Sequence, residues 1–262
     1  RITDHLQART VVFRWDTEVS GARRDAEGVL AGFDGPVPQT AHVVASPGVH
    51  GGALLDGTPC AGKIHGVLGG WVRIGNRGPR LTTSLKVGRK GHVTEDANVT
   101  VAIDGDGNQV LIVGSGYGYL ADPANPVDER QLAAVRRGIM DTVGRLFGAW
   151  GAAPVSSHAA DNYGFKFCIR PWTATSLGLY HAETTAHGWL FVVNGGHNTG
   201  GFAQSPAIAR AVLASLRGEP HPMHALYHPD RFPAFTGHAE SGKNWGCDMR
   251  SRVVSDCVEE VD

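Results

Sequence analysis

Residues 189–218 read WLFVVNGGHNTGGFAQSPAIARAVLASLRG, and their three parts set the fold. The first five residues are all apolar, two of them aromatic and two β-branched, the pattern of a strand buried inside a sheet. Next comes Asn194-Gly195-Gly196-His197-Asn198-Thr199-Gly200-Gly201, a turn with four glycines and no bulky apolar side chain. A helical pattern follows, with Phe202, Pro206, Ala209, Leu213 and Leu216 recurring at spacings of three and four. Gly218 and Pro220 supply its stop signal. Pro206 is expected in the opening turn, where a missing N–H costs little. Strand, glycine turn and helix together bring main-chain N–H groups and a positive helix end toward an anion or an electron-rich ring. The same pattern also serves as a plain connection.

Bulk properties exclude several classes. The 262 residues can bury a substantial core in one or two domains. With a net charge of −1, nothing favours nucleic acid or an anionic membrane. No apolar run reaches the roughly 18 residues of a membrane span, and no signal peptide opens the chain. Cys60, Cys168, Cys247 and Cys257 are scattered, with no CxxC pair. A reducing compartment, the cytoplasm, is the default, and pairing of Cys247 with Cys257 stays open. The first residue is arginine, so a fragment, a processed product or a subunit is expected.

Outward from the opening stretch, residues 9–19 (RTVVFRWDTEV) read as two short strands or one bent strand. Polar residues 21–28 and the returning VLAGF at 29–33 suggest a hairpin, and HVVASPG at 42–48 is a strand closing on a glycine. Residues 64–74 are strand-like, and 99–103 with 109–113 flank Asp104-Gly105-Asp106-Gly107-Asn108 as a hairpin. Gly114-Ser115-Gly116-Tyr117-Gly118-Tyr119 mimics a dinucleotide fingerprint. Tyr119 holds the third glycine position, and Pro123 and Pro126 prevent a helix beneath it, so it reads as a glycine-rich strand exit. Asn125-Pro126 is expected to cap a helix with Asp128 and Glu129 in its first turn. Its stripe is Leu132, Val135, Ile139, Val143 and Leu146, and it ends near Gly148. Residues 163–169 read as another strand. His221, His224 and His228 lie among Pro220, Pro222 and Pro229, which argue against helix there. With no acid or thiolate at ligand spacing, no metal site is expected, and the tail reads as weakly ordered or as a subunit contact.

RPWTAT at 170–175, followed by NGGHNTGGF at 194–202 and a long helix, resembles the FAD-dependent amino-acid oxidase and dehydrogenase superfamily. This is the group of D-amino-acid oxidase, glycine oxidase and sarcosine oxidase, whose members show RPxTPD, a strand, then GHxxxG. Here Ser176 follows the second threonine and the acid is absent. Thr17-Glu18-Val19 and VVASPG at 43–48 match the family's TxV and VVxAxG segments, in the family's order across roughly residues 10–220. The resemblance implies a mixed α/β and α+β fold. An incomplete FAD-binding domain (1–62 and 176–262, a β-meander plus the C-terminal strand–glycine turn–helix) would carry an inserted substrate domain (63–175), an antiparallel sheet with a long helix. The family's N-terminal βαβ unit, with its true GxGxxG, has no counterpart here.

The implied chemistry is oxidation of an amino acid or related amine at its C–N bond, by hydride transfer to N5 of a noncovalent FAD. Cys168 lies two residues early for the covalent flavin link of some sarcosine oxidases. Candidate cofactor contacts are Val19, Gly48, Gly195, Gly196, His197, Asn198, Thr199, Gly200 and Gly201. Arg170 is the candidate for the substrate carboxylate, which a guanidinium meets in a two-pronged fit, with His197 and Asn198 as further catalytic candidates. A structural acid is the other possible partner of Arg170, and Trp172 either lines the pocket or packs. Two other readings stand beside this one: a noncatalytic subunit completed by a partner chain that supplies the Rossmann unit, and a truncated product that binds nothing.

Overall fold

The computed structural model describes residues 2–77, 80–88, 96–116, 121–148, 164–173, 177–197 and 200–231. In chain order its elements are α1 (Ile2–Gln7), β1 (Gly21–Arg24), β2 (Leu30–Asp34), β3 (Val43–Ala45), β4 (His65–Gly75), β5 (Leu85–Gly88), β6 (Asp96–Ile103), β7 (Gln109–Ser115), α2 (Glu129–Phe147), β8 (Lys166–Trp172), β9 (Leu179–Thr184), β10 (Leu190–Gly195), α3 (Gly201–Leu216) and α4 (Pro222–Leu226). The architecture is α/β, with mostly antiparallel sheets and few helices.

Why β10 reads as an unbroken apolar run is clear from its place. It is the central strand of a three-stranded sheet, parallel to β3 and antiparallel to β9. Phe191 and Val193 face Leu30, Leu55, Cys60 and Leu179 on one side. Val192 faces Tyr180, Ala211 and Tyr227 on the other. Both faces are dry, so Leu190 to Val193 are all apolar.

Strands β4 to β8 build the second sheet, ordered β5-β6-β7-β4-β8 and antiparallel throughout. Alternation along β4 turns Leu68, Val72 and Ile74 to one face, where Val99, Leu111 and Val113 join them. There they meet Val135, Ile139 and Val143 of α2. The 104–108 turn forms as expected, with Asp104 Oδ1 accepting from the N–H groups of Asp106 (3.0 Å) and Asn108 (2.8 Å). Gly107 supplies the left-handed residue, at φ 82°. The described part of the 114–119 segment is the exit of β7 from this antiparallel sheet, as read from the sequence.

Several expectations are corrected. Residues 11–20 form no strand, and Val12 and Trp15 are largely exposed. β1 lies instead within the polar stretch read as a turn, and pairs with β2 in an isolated two-stranded sheet. Among the described residues the expected β-meander does not form, because β3 leaves the hairpin and pairs with β10. The N-cap of α2 is Asp128, whose side chain accepts from the Arg130 N–H at 2.8 Å, rather than Asn125. Leu146 of its expected stripe is exposed.

The apolar stripe of α3 is inverted. Ile208, Ala211 and Ala214 are buried, whereas Phe202, Pro206, Ala209 and Leu213 face outward, Phe202 at 90% exposure. Pro206 lies past the opening turn, and the carbonyl of Phe202 takes the Ser205 hydroxyl instead, at 2.8 Å. Near the C-terminus, Pro222 starts a short helix rather than preventing one, because proline fits the first helical position. His224 of that helix stacks on Tyr180, with ring centroids 4.8 Å apart, and its Nε2 meets the Ala211 carbonyl (2.9 Å) and Ser215 Oγ (3.1 Å). It is a packing residue.

Candidate functional site

β3 and β10 run parallel, so their carboxyl ends open at the same edge of the sheet. Ser46-Pro47-Gly48 leaves one strand and the glycine turn leaves the other. A bond of 2.7 Å between the Asn194 amide and Ser46 Oγ ties the two exits together. In open α/β sheets this is the end that receives ligands. α3 begins here behind Gly200, with no side-chain cap on its first turn. Its orphan N–H groups and positive end therefore face this edge. Among the described residues, a side chain at Gly48 (φ 63°) would have only open space around it, and one at Gly201 would meet only His197 Cβ, at 3.5 Å. Main chain at these two positions is accessible to a ligand.

Gly195 and Gly196 do different work. A methyl on Gly195 would meet Ile64 Cδ1 at 2.9 Å, and one on Gly196 (φ 66°) would overlap Thr173 Cγ2. These glycines admit protein side chains. Likewise the Gln204 amide folds back over Gly200. The Thr173 hydroxyl reaches the Gly196 carbonyl at 3.4 Å, so the turn is docked onto the exit of β8, three residues beyond Arg170. Thr173 and Ile64 are contributors that the sequence reading missed; the threonine of RPWT was their only visible signal.

His197 is drawn inward. Its Nδ1 is 3.1 Å from the Leu177 carbonyl, its Nε2 is 2.9 Å from the Asn194 side chain, and its ring lies 5.6 Å from that of Tyr227. Gly178, at φ 104°, leaves room for the imidazole, which a side chain there would overlap. Burial pushes the His197 pKa below the ordinary imidazole value, against the opposing pull of the Leu177 and Gln204 bonds. A neutral imidazole donates once and accepts once. The Asn194 NH2 donates to Ser46 Oγ, its Oδ1 faces His197 Nε2 and the Leu177 carbonyl faces Nδ1, so both ring nitrogens meet acceptors and the single N–H of the neutral ring serves one of them.

The lowered pKa has a consequence for stability. The unfolded chain binds a proton at His197 more readily than the folded one, so this contribution is complete above about pH 6.5 and is lost as the pH falls below it. Urea unfolding at pH 7.5 and 5.5 should show a decline that His197→Gln reduces, by up to about 1.4 kcal/mol per pH unit. Equal declines in the two proteins would exclude a neutral buried imidazole.

Arg170 is half-buried on β8. Its Nη2 donates to the carbonyls of Ser115 (3.1 Å) and Gly116 (2.8 Å) at the end of β7. The guanidinium thus lies across the sheet and is held by main chain. Both two-pronged edges of a guanidinium include Nη2, so a carboxylate taking either edge must share that nitrogen with the carbonyls. His65 and Trp172 pair in register on the same strands, with rings 6.1 Å apart. Trp172 is buried and packs. Cys168 sits two residues from Arg170 as a free, partly buried thiol. Val19 borders the β1–β2 hairpin, where the left-handed Gly35 (φ 142°) lets the chain at Glu18 and Val19 approach closely. Asn198 and Thr199 lie outside the described residues. The structure therefore brings together Gly48, Gly195, Gly196, His197, Gly200 and Gly201, with the β8 exit that carries Arg170 against them.

No protein-family model matches the chain, and no curated protein does. Solved structures do. Glycine oxidase from Geobacillus kaustophilus aligns at 20% identity and TM-score 0.53, over 79% of this chain and 49% of its own. A modified fructosyl peptide oxidase from Aspergillus nidulans aligns at 13% and 0.60, over 89% and 56%. Iminodiacetate oxidase from Chelativorans sp. BNC1 aligns at 15% and 0.51, over 81% and 52%. These likenesses show a shared fold, and the chain spans about half the length of the structures it matches.

Proposed function

We propose, from the fold shared with these oxidases, that the chain is the substrate-binding and flavin-facing part of an FAD-dependent oxidoreductase acting on the C–N bond of an amino acid or related amine. One observation carries this reading: an uncapped helix start at the carboxyl ends of two parallel strands, docked through Thr173 and Gly196 onto the strand bearing Arg170. The residues fit the cofactor at main-chain level. Gly48 and Gly201 offer open backbone, Gly200 lies under the Gln204 amide, and Gly195 and Gly196 set the turn's shape. Val19, Asn198 and Thr199 complete the proposed contacts. Bound FAD would accept a hydride at N5 and leave an imine product that water hydrolyses.

The chain's own residues orient and polarise. The start of α3 stabilises negative charge developing on the electron-rich ring edge. His197, neutral and held by Leu177 and Asn194, fixes the turn and presents no charge to the ring. Arg170 meets the substrate carboxylate. Within this reading, residues 1–62 and 176–262 face the cofactor and 63–175 face the substrate. Among the described residues no helix is long and apolar enough to cross a membrane, and a cytoplasmic enzyme acting on small molecules suits the proposal.

A second reading, a subunit completed by another chain, draws on a different observation. β3 is an edge strand of the three-stranded sheet, and its Val44 is 45% exposed although its register partner Val192 is fully buried. Phe202 and Leu213 of α3 are also exposed. A Rossmann unit adding a parallel strand along β3 would cover such a surface.

Flavin absorbance after adding FAD to the purified chain tests the first reading, followed by bleaching with glycine, D-alanine, proline and sarcosine. Bleaching by one of these, with the KM of Arg170→Ala raised by about 10- to 150-fold, is the expected result. Binding that appears only with a separate Rossmann-bearing chain selects the second reading. An unchanged KM in Arg170→Ala removes Arg170 from its role.

A further inference from the structure

Gly69 lies in the middle of β4, a position where glycine weakens a strand unless something approaches closely. What approaches is Arg170. A methyl built on Gly69 would overlap the guanidinium, and the three atoms nearest to that point are Nη2, Nε and Cζ of Arg170. The guanidinium plane therefore rests on bare backbone. Its Nη2 is held from the side by the carbonyls of Ser115 and Gly116. Gly116 is itself required, since its φ is 118° and a side chain there would press on the Leu68 carbonyl (2.8 Å) and Gly69 Cα (2.9 Å).

We infer that Gly69, with the carbonyls of Ser115 and Gly116, forms a dedicated seat that positions the Arg170 guanidinium for a carboxylate ligand. The inference rests on the reading of Arg170 as the carboxylate-binding residue. A long arginine side chain loses much rotamer freedom when it binds, and a seat formed beforehand removes that cost from the binding step. Gly69 is a positioning residue: it acts through Arg170.

The test uses the full chain with Gly69→Ala and Arg170→Ala, singly and combined, and two readouts. The first is the urea midpoint. The second is the shift of the Arg170 side-chain NMR signals on titration with acetate. Acetate should shift those signals in the parent protein, and Gly69→Ala should weaken that binding by about tenfold or more, the scale of one charge-assisted hydrogen bond. Gly69→Ala should also lower the urea midpoint in the presence of Arg170 and leave it nearly unchanged in the Arg170→Ala background. If Gly69→Ala costs the same stability with and without Arg170, or leaves the acetate affinity intact, the seat is refuted. If the parent's Arg170 signals ignore acetate while the stability coupling is present, the carboxylate reading fails and the seat is purely structural.

Discussion

Replacing Arg24 with methionine lowers the unfolding free energy by about 3–5 kcal/mol, the scale of a broken part-buried ion pair. Arg24 and Glu183 join the β1–β2 hairpin to β9 through two bonds, Nη2 to Oε1 at 2.5 Å and Nη1 to Oε2 at 3.2 Å. Their side chains are only 14% and 22% exposed. The same guanidinium closes the turn by donating to the carbonyls of Asp56 and Gly28. Burial pushes the Glu183 carboxyl up, but His181 and Arg24 outweigh it and hold the group below the ordinary carboxylate value. Wild-type stability from this group is therefore present above about pH 4.5 and lost as the acid range is entered. Urea unfolding of Arg24→Met, Glu183→Met and the double variant is the measurement. The double variant should recover much of the loss, because it leaves no stranded charge. A cost below about 1 kcal/mol for Arg24→Met would place the pair with ordinary surface bridges.

Substituting Gly196 with alanine costs about 2–5 kcal/mol, from two sources that separate experimentally. A residue with a Cβ at φ 66° costs about 1–2 kcal/mol. Overlap of the new methyl with Thr173 Cγ2 adds about 1–3 kcal/mol of overpacking. Thr173→Ser removes the offending methyl but keeps the hydroxyl that meets the Gly196 carbonyl. Combined with Gly196→Ala it should recover the steric part and leave the backbone part. If Thr173→Ser recovers nothing, the turn is not docked on β8 as described.

Local patterns carried much of this architecture into view. β10 announces itself because both of its faces are dry, and the β6–β7 hairpin because Asp104 and Gly107 suit only a tight turn. The apolar periodicity of α3 was legible but its direction was not. Phe202-Pro206-Ala209-Leu213 and Ile208-Ala211-Ala214 both satisfy helical spacing, and the smaller set is the one that packs closely on the sheet. Residues 11–19 carry strand propensity, yet pairing decides strands, and no partner reaches them among the described residues. At the site, RPWT and the glycine turn stood out as motifs. The fixing of His197 by Leu177, Asn194 and Gln204, and the use of Gly195 and Gly196 to admit Ile64 and Thr173, depend on contacts between distant segments and have no local signature.

The register that sets His65 opposite Trp172 bears on the order in which the chain assembles. Ser46 and Asn194, the exits of the parallel pair, are 148 residues apart, a long span for an unstructured chain to close. Once the five-stranded sheet has formed, its first and last strands lie side by side, and only two tethers of about 20 residues each remain, which cuts the closure entropy by about 1 kcal/mol. The five-stranded sheet thus works as a clasp. Its β5–β6 and β6–β7 pairings are local and its β4–β8 pairing is not, and once that pairing closes β10 is brought toward β3, which makes completion of the glycine-turn edge a late event.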